Sequence, residues 1–406
     1  MNILGDEKQA STQLTLVSHS LPFRKLIVLI LEEDIKTIIE HWIRILGIKL
    51  GWINDFDKLV INYDILQCVN NIDYSILDSC QFICSGSDDK TIRVWNIDTN
   101  KQIQLLKGHS GYVNSVKFSL NYHFNYHRNV ICSSSYDKTI RFWDVKYNQQ
   151  LQIFNGHTSH VFGIEFSSFN GGRYLCSGSG DNTMRLWDVE TSKSLHVFNG
   201  HTHNVFCVDF SPLQNNNINK DNKNNSIGII GGNGYTICSG SFDDTICIWD
   251  IETTKQLIIF KGHEHWIRSV KYGSNELGNT ILSGSQDTSV RLWDIRSGER
   301  IQIFNGHTRN VNIVEYSQFA VKNSEVGGSS NVICSGSGDN TIRFWDIRSS
   351  KKELYRIKGS NKDDEILCLK FLLFKNRENK NKINDNCGYD INMCHGSFKG
   401  PIHIWG

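Results

Sequence analysis

Residues 176–188 of the chain are CSGSGDNTMRLWD, and residues 334–346 are CSGSGDNTIRFWD. Four further copies keep the same order of a small-residue pair, an aspartate and a short apolar strand ending in tryptophan, and a fifth is degenerate. The tryptophans of the seven copies are Trp95, Trp143, Trp187, Trp249, Trp293, Trp345 and Trp405. Some neighbouring tryptophans are 44 residues apart and others more, so the chain of 406 residues contains seven repeats, some with insertions.

Each repeat has the local chemistry of β structure. Short segments rich in Val, Ile, Phe, Thr and Trp alternate with Gly, Asn, Asp and Ser. The second repeat predicts four strands, at about 112–119, 130–134, 139–144 and 150–154. Since a four-stranded sheet cannot bury both of its faces alone, the repeats must stack. Radial stacking into a closed ring leaves few open edges, so we expect an all-β closed ring.

The repeats closely resemble the WD40-repeat family, in which Gly-His and Trp-Asp pairs bracket each unit. The Gly-His pairs end at His109, His157, His201, His263 and His307, and the Trp-Asp pairs end at Asp144, Asp188, Asp250, Asp294 and Asp346. The resemblance covers roughly residues 56–406 and implies a seven-bladed WD40 β-propeller.

The two ends of the chain predict how the ring closes. The last repeat stops after its third strand, and the segment 58–62 lies where other repeats keep their fourth strand. We therefore expect residues 58–62 to complete the last blade. Residues 1–55 form a predicted N-terminal extension with an amphipathic helix at about 32–46. This helix either packs on the propeller or recruits a partner, and Leu21-Pro22 with the apolar residues after it is faintly similar to the start of an F-box.

Composition excludes several function classes. The chain has 43 basic and 42 acidic residues and a formal net charge of +1, so no electrostatic drive towards nucleic acid or a membrane is expected. The apolar run Leu26–Leu31 is too short to span a bilayer. We expect a cytoplasmic protein, with the nucleus not excluded.

The cysteines are expected to be buried free thiols. Six of the twelve occupy one equivalent position in the repeats: Cys84, Cys132, Cys176, Cys238, Cys334 and Cys394. A residue repeated once per unit has no nearby partner of its own kind. No C-x-x-C pair occurs, so neither a metal site nor any other cofactor is predicted.

Five repeats contain a His, a Ser, an Asp and a Trp at corresponding positions. These tetrads are His109, Ser133, Asp137, Trp143; His157, Ser177, Asp181, Trp187; His201, Ser239, Asp243, Trp249; His263, Ser283, Asp287, Trp293; and His307, Ser335, Asp339, Trp345. A catalytic triad occurs once, in a cleft, whereas five copies fit a structural role. The resemblance implies a hydrogen-bonded chain within each blade. We predict no enzyme activity and no small-molecule substrate.

Departures from the tetrads mark the two blades that meet at the closure. The first repeat keeps Ser85, Asp89 and Trp95 but has no Gly-His pair, and the last has His395 and Lys399 where Ser and Asp are expected. These two blades are predicted to be the least stable. Arginines recur two residues before the tryptophan, and this recurrence indicates that they have a framework role or lie on a solvated strand.

The insertions and the short turns are expected on opposite faces. The long segments 121–129, 213–234, 320–331 and 375–389 all fall between the first and second strands of a blade, which leaves the other face compact. WD40 proteins commonly bind peptides on that face through three positions per blade. Here these positions are Cys68, Asn70, Asp88; Tyr112, Asn114, Tyr136; His160, Phe162, Gly180; Asn204, Phe206, Phe242; Trp266, Arg268, Gln286; and Asn310, Asn312, Gly338.

We predict a non-catalytic scaffold that binds proteins or peptides on the compact face. Its predicted contact residues are Tyr112, Tyr136, His160, Phe162, Phe206, Phe242, Trp266 and Arg268, with Trp266 and Arg268 as the anchor. Phe162 and Phe206 could instead pack around the central channel. The alternative function is a substrate receptor of a cullin-RING ubiquitin ligase, because Arg296 and Arg348 are similar to the arginine of the Trp-Asp-x-Arg motif that contacts the ligase adaptor.

Overall fold

The structure is a computed structural model that describes residues 68–77, 80–212, 235–273, 277–317, 332–348, 353–360, 364–375, 389–399 and 402–405. The chain divides into two units, Met1–Phe56 and Asp57–Gly406, and every described residue belongs to the second. The predicted N-terminal extension, its helix at 32–46 and the closing strand at 58–62 lie outside the described residues.

Seven antiparallel sheets follow one another along the chain, and in each the strands are paired in chain order. Blades 1 to 3 comprise β1 (Val69–Leu77), β2 (Cys80–Ser87), β3 (Thr91–Asn96), β4 (Lys101–Lys107); β5 (Val113–Phe118), β6 (Val130–Ser135), β7 (Ile140–Asp144), β8 (Gln149–Phe154); and β9 (Val161–Phe166), β10 (Tyr174–Ser179), β11 (Met184–Asp188), β12 (Lys193–Phe198). Blades 4 and 5 comprise β13 (Val205–Phe210), β14 (Thr236–Ser241), β15 (Ile246–Asp250), β16 (Gln256–Phe260); and β17 (Ile267–Tyr272), β18 (Thr280–Ser285), β19 (Val290–Asp294), β20 (Arg300–Phe304). Blades 6 and 7 comprise β21 (Val311–Tyr316), β22 (Val332–Ser337), β23 (Thr341–Asp346), β24 (Glu353–Lys358); and β25 (Ile366–Lys375), β26 (Tyr389–Ser397), β27 (His403–Trp405).

Two short helices lie in connections between first and second strands. The helix α1 (Leu120–Tyr126) belongs to blade 2, and a 3-10 helix (Asn170–Gly172) belongs to blade 3. All the predicted insertions fall in such connections, which lie at the end of the blades opposite the short turns between second and third strands. The turn end is called the compact face below.

The second strands are the most deeply buried because each is covered by the neighbouring sheets on both sides. In β6, β10, β18 and β22 every residue is buried. Small residues at the end of the second strands permit this close approach: in β2, a Cβ on Gly86 would come within 2.7 Å of Val113 on the next blade, and in β10 one on Gly178 would come within 2.8 Å of the Val205 carbonyl. The small residues of the repeat are therefore required by sheet-to-sheet packing.

Apolar clusters between consecutive blades form the core. In the cluster between blades 2 and 3, Trp187 of blade 3 packs against Val130 and Phe142 of blade 2. The same kind of cluster joins blade 7 to blade 1, where Leu372 and Ile404 pack with Val69 and Ile83. The ring is therefore closed by direct packing of the last blade on the first, and the predicted seven-bladed all-β propeller is confirmed.

The six equivalent cysteines are buried and free, as the sequence predicts. Burial raises the pKa of each thiol above its ordinary value, as for Cys84 and Cys132, so they pack as small apolar groups. Within the part of the chain that the structure describes, no helix is both long and apolar enough to cross a membrane.

Candidate compact-face interaction site

The tetrads form one hydrogen-bonded chain in each of blades 2 to 6. In blade 3, His157 Nδ1 lies 2.8 Å from Asp181 Oδ2, and His157 Nε2 lies 2.8 Å from Ser177 Oγ. The indole N–H of Trp187 donates to the same Ser177 Oγ at 2.8 Å. The corresponding distances in the four other blades are 2.7 to 2.9 Å. Each chain ties the connection before the first strand to the second and third strands of the same blade.

Burial and hydrogen bonds shift the pKa values of the tetrad side chains. Burial lowers the pKa of His157, although its bond to Asp181 acts in the opposite direction. Burial alone would raise the pKa of Asp181, but hydrogen bonds from His157 and Thr183 hold it below its usual range. The same directions hold for His109, His263, Asp137, Asp243, Asp287 and Asp339. Ser177 is fully buried and bonded on both sides, so its hydroxyl cannot meet a substrate as a nucleophile must.

The recurring arginines reinforce some of the tetrads. In blade 2, Arg141 donates to the Gly108 carbonyl at 2.9 Å and lies 3.3 Å from Asp137. In blade 4 the equivalent residue is Cys247, a buried thiol that accepts a hydrogen bond from Gln256 at 3.1 Å. These contacts support the framework role of the arginines.

Asparagines at the start of the first strands join neighbouring blades. The Nδ2 atom of Asn70 donates to the Val113 carbonyl at 3.0 Å, that of Asn114 to the Val161 carbonyl at 2.8 Å, and that of Asn312 to the Ile366 carbonyl at 2.9 Å. Three positions that the sequence analysis placed at the compact face are thus structural links in blades 1, 2 and 6. The equivalent residues in blades 3, 4 and 5 are Phe162, Phe206 and Arg268. None of these three blades therefore has the asparagine side chain that links the neighbouring blades elsewhere.

The eight predicted contact residues lie together across blades 2 to 5. We call them the aromatic run: Tyr112, Tyr136, His160, Phe162, Phe206, Phe242, Trp266 and Arg268. At one end Tyr136 stacks on His160 with ring centroids 4.1 Å apart. At the other end Phe242 stacks on Trp266 at 4.1 Å and 7°.

Phe162 and Phe206 connect the two halves of the aromatic run. The Phe162 ring contacts Tyr136 on one side at 5.8 Å and Phe206 on the other at 5.1 Å. Phe162 is only 7% exposed, so it lies beneath the run, whereas Tyr112 is 46% and Trp266 38% exposed. Phe162 is therefore a supporting ring with little surface of its own, and the outer members remain open to solvent.

Arg268 covers the ring faces at the blade 5 end of the run. Its guanidinium carbon lies 5.2 Å from the ring centroid of Phe206, 5.7 Å from that of Phe242 and 5.9 Å from that of Trp266. Burial lowers the pKa of Arg268, and the more distant Glu365 carboxylate opposes that effect. No hydrogen bond or ion pair joins its side chain to any other described residue, and its Nε is buried without an acceptor among them.

Beneath the compact face, seven charged side chains project from the first strands towards the axis. We call them the channel ring: Asp73, Lys117, Glu165, Asp209, Lys271, Glu315 and Lys370. All seven share one register position, opposite Cys84 and its equivalents on the second strands. Sequence analysis missed them, although the eighth residue after the Gly-His histidine is charged in every one of blades 2 to 6.

Ion pairs join the members of the channel ring from blade to blade. Lys117 Nζ lies 2.6 Å from Glu165, and Lys271 Nζ lies 3.5 Å from Glu165, 3.8 Å from Asp209 and 3.7 Å from Glu315. With seven members, signs cannot alternate throughout, and Glu165 and Asp209 are neighbours of like charge. Burial, together with Glu165, raises the pKa of Asp209 to about 6 despite Lys271, whereas Lys117 and Lys271 overcome burial and lower the pKa of Glu165 to about 2.

Arg296 and Arg348 lie on the face opposite the aromatic run. They follow the third strands of blades 5 and 6, and both are exposed. The backbone N–H of Arg296 donates to the Asp294 carboxylate at 3.1 Å, and that of Arg348 to Asp346 at 2.9 Å. The aspartate of each Trp-Asp pair thus fixes the loop that carries the arginine.

Comparison with known families agrees with this architecture. The family model described as WD domain, G-beta repeat matches residues 67–96, 100–144, 148–188, 192–250, 254–294 and 298–346. These six segments make up more than half of the 406 residues, and each ends directly after the tryptophan of one of the six clear repeats. The chain therefore belongs to the WD40 family. No curated protein matches the chain. WD40 propellers generally act as protein-interaction scaffolds without catalytic activity of their own.

Proposed function

We propose that this propeller binds a protein or peptide on its compact face and that the aromatic run is the contact surface. The observation that carries the proposal is the replacement of the linking asparagine in blades 3 to 5. Asn70, Asn114 and Asn312 stabilise the ring through a backbone hydrogen bond, whereas Phe162, Phe206 and Arg268 forgo it. In these three blades the position presents aromatic rings and a cation, which are side chains suited to a binding surface.

The composition of the surface supports protein recognition. Tyr, Trp and Arg are the residues that most often dominate protein interfaces, because they bury a large area at a low cost in side-chain entropy. Tyr112, Tyr136 and Trp266 are exposed and supported from behind by buried or half-buried rings. The surface is therefore formed in advance, which reduces the entropy lost on binding.

The test compares partners captured by the wild-type chain and by a Trp266→Ala, Arg268→Ala double variant. We expect the proteins retained by the wild type to be lost from the double variant, since a hot-spot truncation typically costs about 2 kcal/mol or more. Tyr147→Ala is the matched control, because Tyr147 is 63% exposed and lies on the opposite face. Equal retention by the double variant, at an unchanged unfolding temperature, would rule out this surface.

A second function is favoured by the position of Arg296 and Arg348. Both arginines are exposed on adjacent blades, on the face that the aromatic run does not use, so a partner there leaves the compact face free for a substrate. This arrangement suits a substrate receptor of a cullin-RING ubiquitin ligase. Co-purification with a cullin adaptor, lost in Arg296→Ala plus Arg348→Ala and kept in Trp266→Ala, is the expected result; a preparation without any adaptor would dismiss this second function.

A further inference from the structure

Arg268 at the compact face has aromatic rings around it but no hydrogen-bonding or ion-pair partner among the described residues. Arg268 occupies the position where blades 1, 2 and 6 place a hydrogen-bonded asparagine, and its own side chain bonds to no other described residue. Taking a charged group out of water costs free energy unless it is paired, and a buried N–H without an acceptor adds to that cost. An acceptor that a ligand supplies to the terminal N–H groups of Arg268 would offset the cost of the unpaired charge.

The rings determine how Arg268 can be approached. Phe206, Phe242 and Trp266 all lie within 6 Å of the guanidinium carbon, so they occupy its immediate apolar surroundings. The N–H groups of a guanidinium lie in its own plane and match the two oxygens of a carboxylate. A carboxylate on Arg268 would also lie beside the exposed indole of Trp266, where an apolar neighbour in the ligand can pack.

Carboxylates elsewhere on the compact face limit the number of acidic groups that a ligand can carry. Across the ring from blade 5 are Asp88 of blade 1 and Glu365 of blade 7. Asp88 accepts a hydrogen bond from Asn70 at 2.7 Å, and Glu365 lies 3.9 Å from Arg309, which is itself 63% exposed. Asp88 and Glu365 already bring negative charge to this face, so Arg268 is better matched to a single carboxylate above blade 5 than to a phosphate dianion or an acidic tract.

We propose that the ligand of the aromatic run is a peptide that places a single acidic side chain on Arg268 and an adjacent aromatic or large aliphatic side chain on Trp266 and Phe242. This inference rests on the proposed function, since it specifies the partner chemistry of the same surface.

The test selects from a displayed library of random heptapeptides with the intact chain immobilised. The wild type is expected to enrich peptides with one Asp or Glu next to an apolar residue. Arg268→Gln should lose that enrichment, and Arg268→Glu should enrich Lys or Arg instead. Arg309→Glu is the matched control, because it makes the same charge change at an exposed arginine of the same face and should keep the acidic preference.

Selected peptides give the quantitative check. We expect a single peptide to bind Arg268→Gln at least about tenfold more weakly than the wild type, and its Asp→Asn version to bind both proteins equally. Enrichment of peptides without an acidic residue, or of the same peptides by all variants, would overturn the acidic ligand and leave the binding surface standing. No enrichment by the wild type would instead contradict peptide binding at this face, and the acidic ligand with it.

Discussion

Blades 2 to 6 and the two closing blades build the same sheet around different polar interiors. In blades 2 to 6 a histidine joins the aspartate of the turn to the central serine, so each chain has three bonds of 2.7 to 2.9 Å. In blade 1 Trp95 donates to Ser85 at 3.4 Å, while Asp89 binds Thr91 and Arg93 of its own turn.

In blade 7 a histidine takes the place of the serine as the acceptor for the tryptophan N–H. The indole N–H of Trp405 donates to His395 Nδ1 at 2.8 Å, and His395 stacks on His403 with centroids 4.9 Å apart. The comparison teaches that the fold requires a buried acceptor for the tryptophan, whereas the link to the turn can be dispensed with at the closure. We therefore expect polar damage to cost more in blades 2 to 6 than at the closure.

The largest expected effect concerns the channel ring, which spans both regions. Lys271→Met in blade 5 leaves Glu165, Asp209 and Glu315 without the cation that lies within 4 Å of all three. We expect a loss of about 3–5 kcal/mol in the free energy of unfolding, because uncompensated buried charge is strongly destabilising. Denaturant unfolding measures the loss.

Lys370→Met at the closure is the matched variant for this experiment. Lys370 Nζ lies 3.4 Å from Asp73, and no other ion pair of Lys370 is found among the described residues. The loss should be clearly smaller than for Lys271→Met. If the two variants unfold at the same denaturant concentration, the three-carboxylate contact is not what stabilises blade 5.

A smaller effect is expected when the turn aspartate is removed. Asp181 in blade 3 accepts bonds from His157, from the Thr158 and Thr183 backbones and from the Thr183 hydroxyl, so Asp181→Ala leaves the buried His157 and the half-buried Thr183 without this partner. We expect a loss of about 3 kcal/mol by thermal or denaturant unfolding.

Asp89→Ala is the corresponding change in blade 1, where only Thr91, Arg93 and the local turn lose a partner. Its expected loss is about 1–2 kcal/mol, because no buried histidine loses a partner there. A loss in blade 1 as large as that in blade 3 would show that the histidine link adds nothing to the tetrads.

The pH dependence of stability should also differ between blades 2 to 6 and the two closing blades. Burial lowers the pKa of His109, His157 and His263. As the pH falls through about 6.5, these histidines are therefore protonated in the unfolded chain before they are protonated in the folded chain. Stability from these groups is present above that pH and is lost as the pH falls. Asp209, whose pKa is raised to about 6, acts in the opposite sense, but it is one group against three.

Hydrogen exchange at pH 7.5 and pH 5.5, corrected for intrinsic rates, checks this expectation. At the higher pH the closing blades should exchange faster than blades 2 to 6. At the lower pH protection should fall in blades 2, 3 and 5 and stay unchanged in blade 1, whose strands β1–β4 contain no histidine. A uniform fall over all blades would assign the pH effect to something other than the tetrads.

What the sequence could predict depends on whether a residue recurs. The tetrads and the buried cysteines were predictable because one chemistry is required at one position in every blade, as His157 and Cys176 illustrate. The compact-face positions were predictable as places, yet the sequence did not distinguish Asn312, which links two blades, from Arg268, which links none. Whether a side chain finds a backbone carbonyl depends on the geometry of the next blade.

The channel ring escaped sequence analysis for a different reason. Asp73, Lys117 and Glu165 share a register position but not a charge, so the alignment of repeats shows variation where the structure has pairing. The stacking of the blades brings Lys271 near Glu165, two blades away. Contacts between blades cannot be seen in a repeat that is read one unit at a time.

The smallest expected effect tests the one place where the charges of the ring conflict. Burial and the neighbouring Glu165 raise the pKa of Asp209 to about 6, which means that its ionised form weakens the fold above that pH. Asp209→Asn keeps an oxygen for the Tyr272 backbone N–H, 2.8 Å away, and leaves three carboxylates facing three lysines. We expect the variant to be more stable than the wild type at pH 8 by roughly 1 kcal/mol and to lose that advantage by pH 5, since one pKa unit corresponds to about 1.4 kcal/mol.

The control variant is Asp73→Asn, which deprives Lys370 of its partner at the closure and should be destabilising at both pH values. Thermal unfolding of the three proteins at pH 5 and pH 8 decides the matter: an Asp209→Asn variant that is less stable at pH 8 would show that Lys271 needs all three of its carboxylates, and that the odd number of blades imposes no cost on the ring.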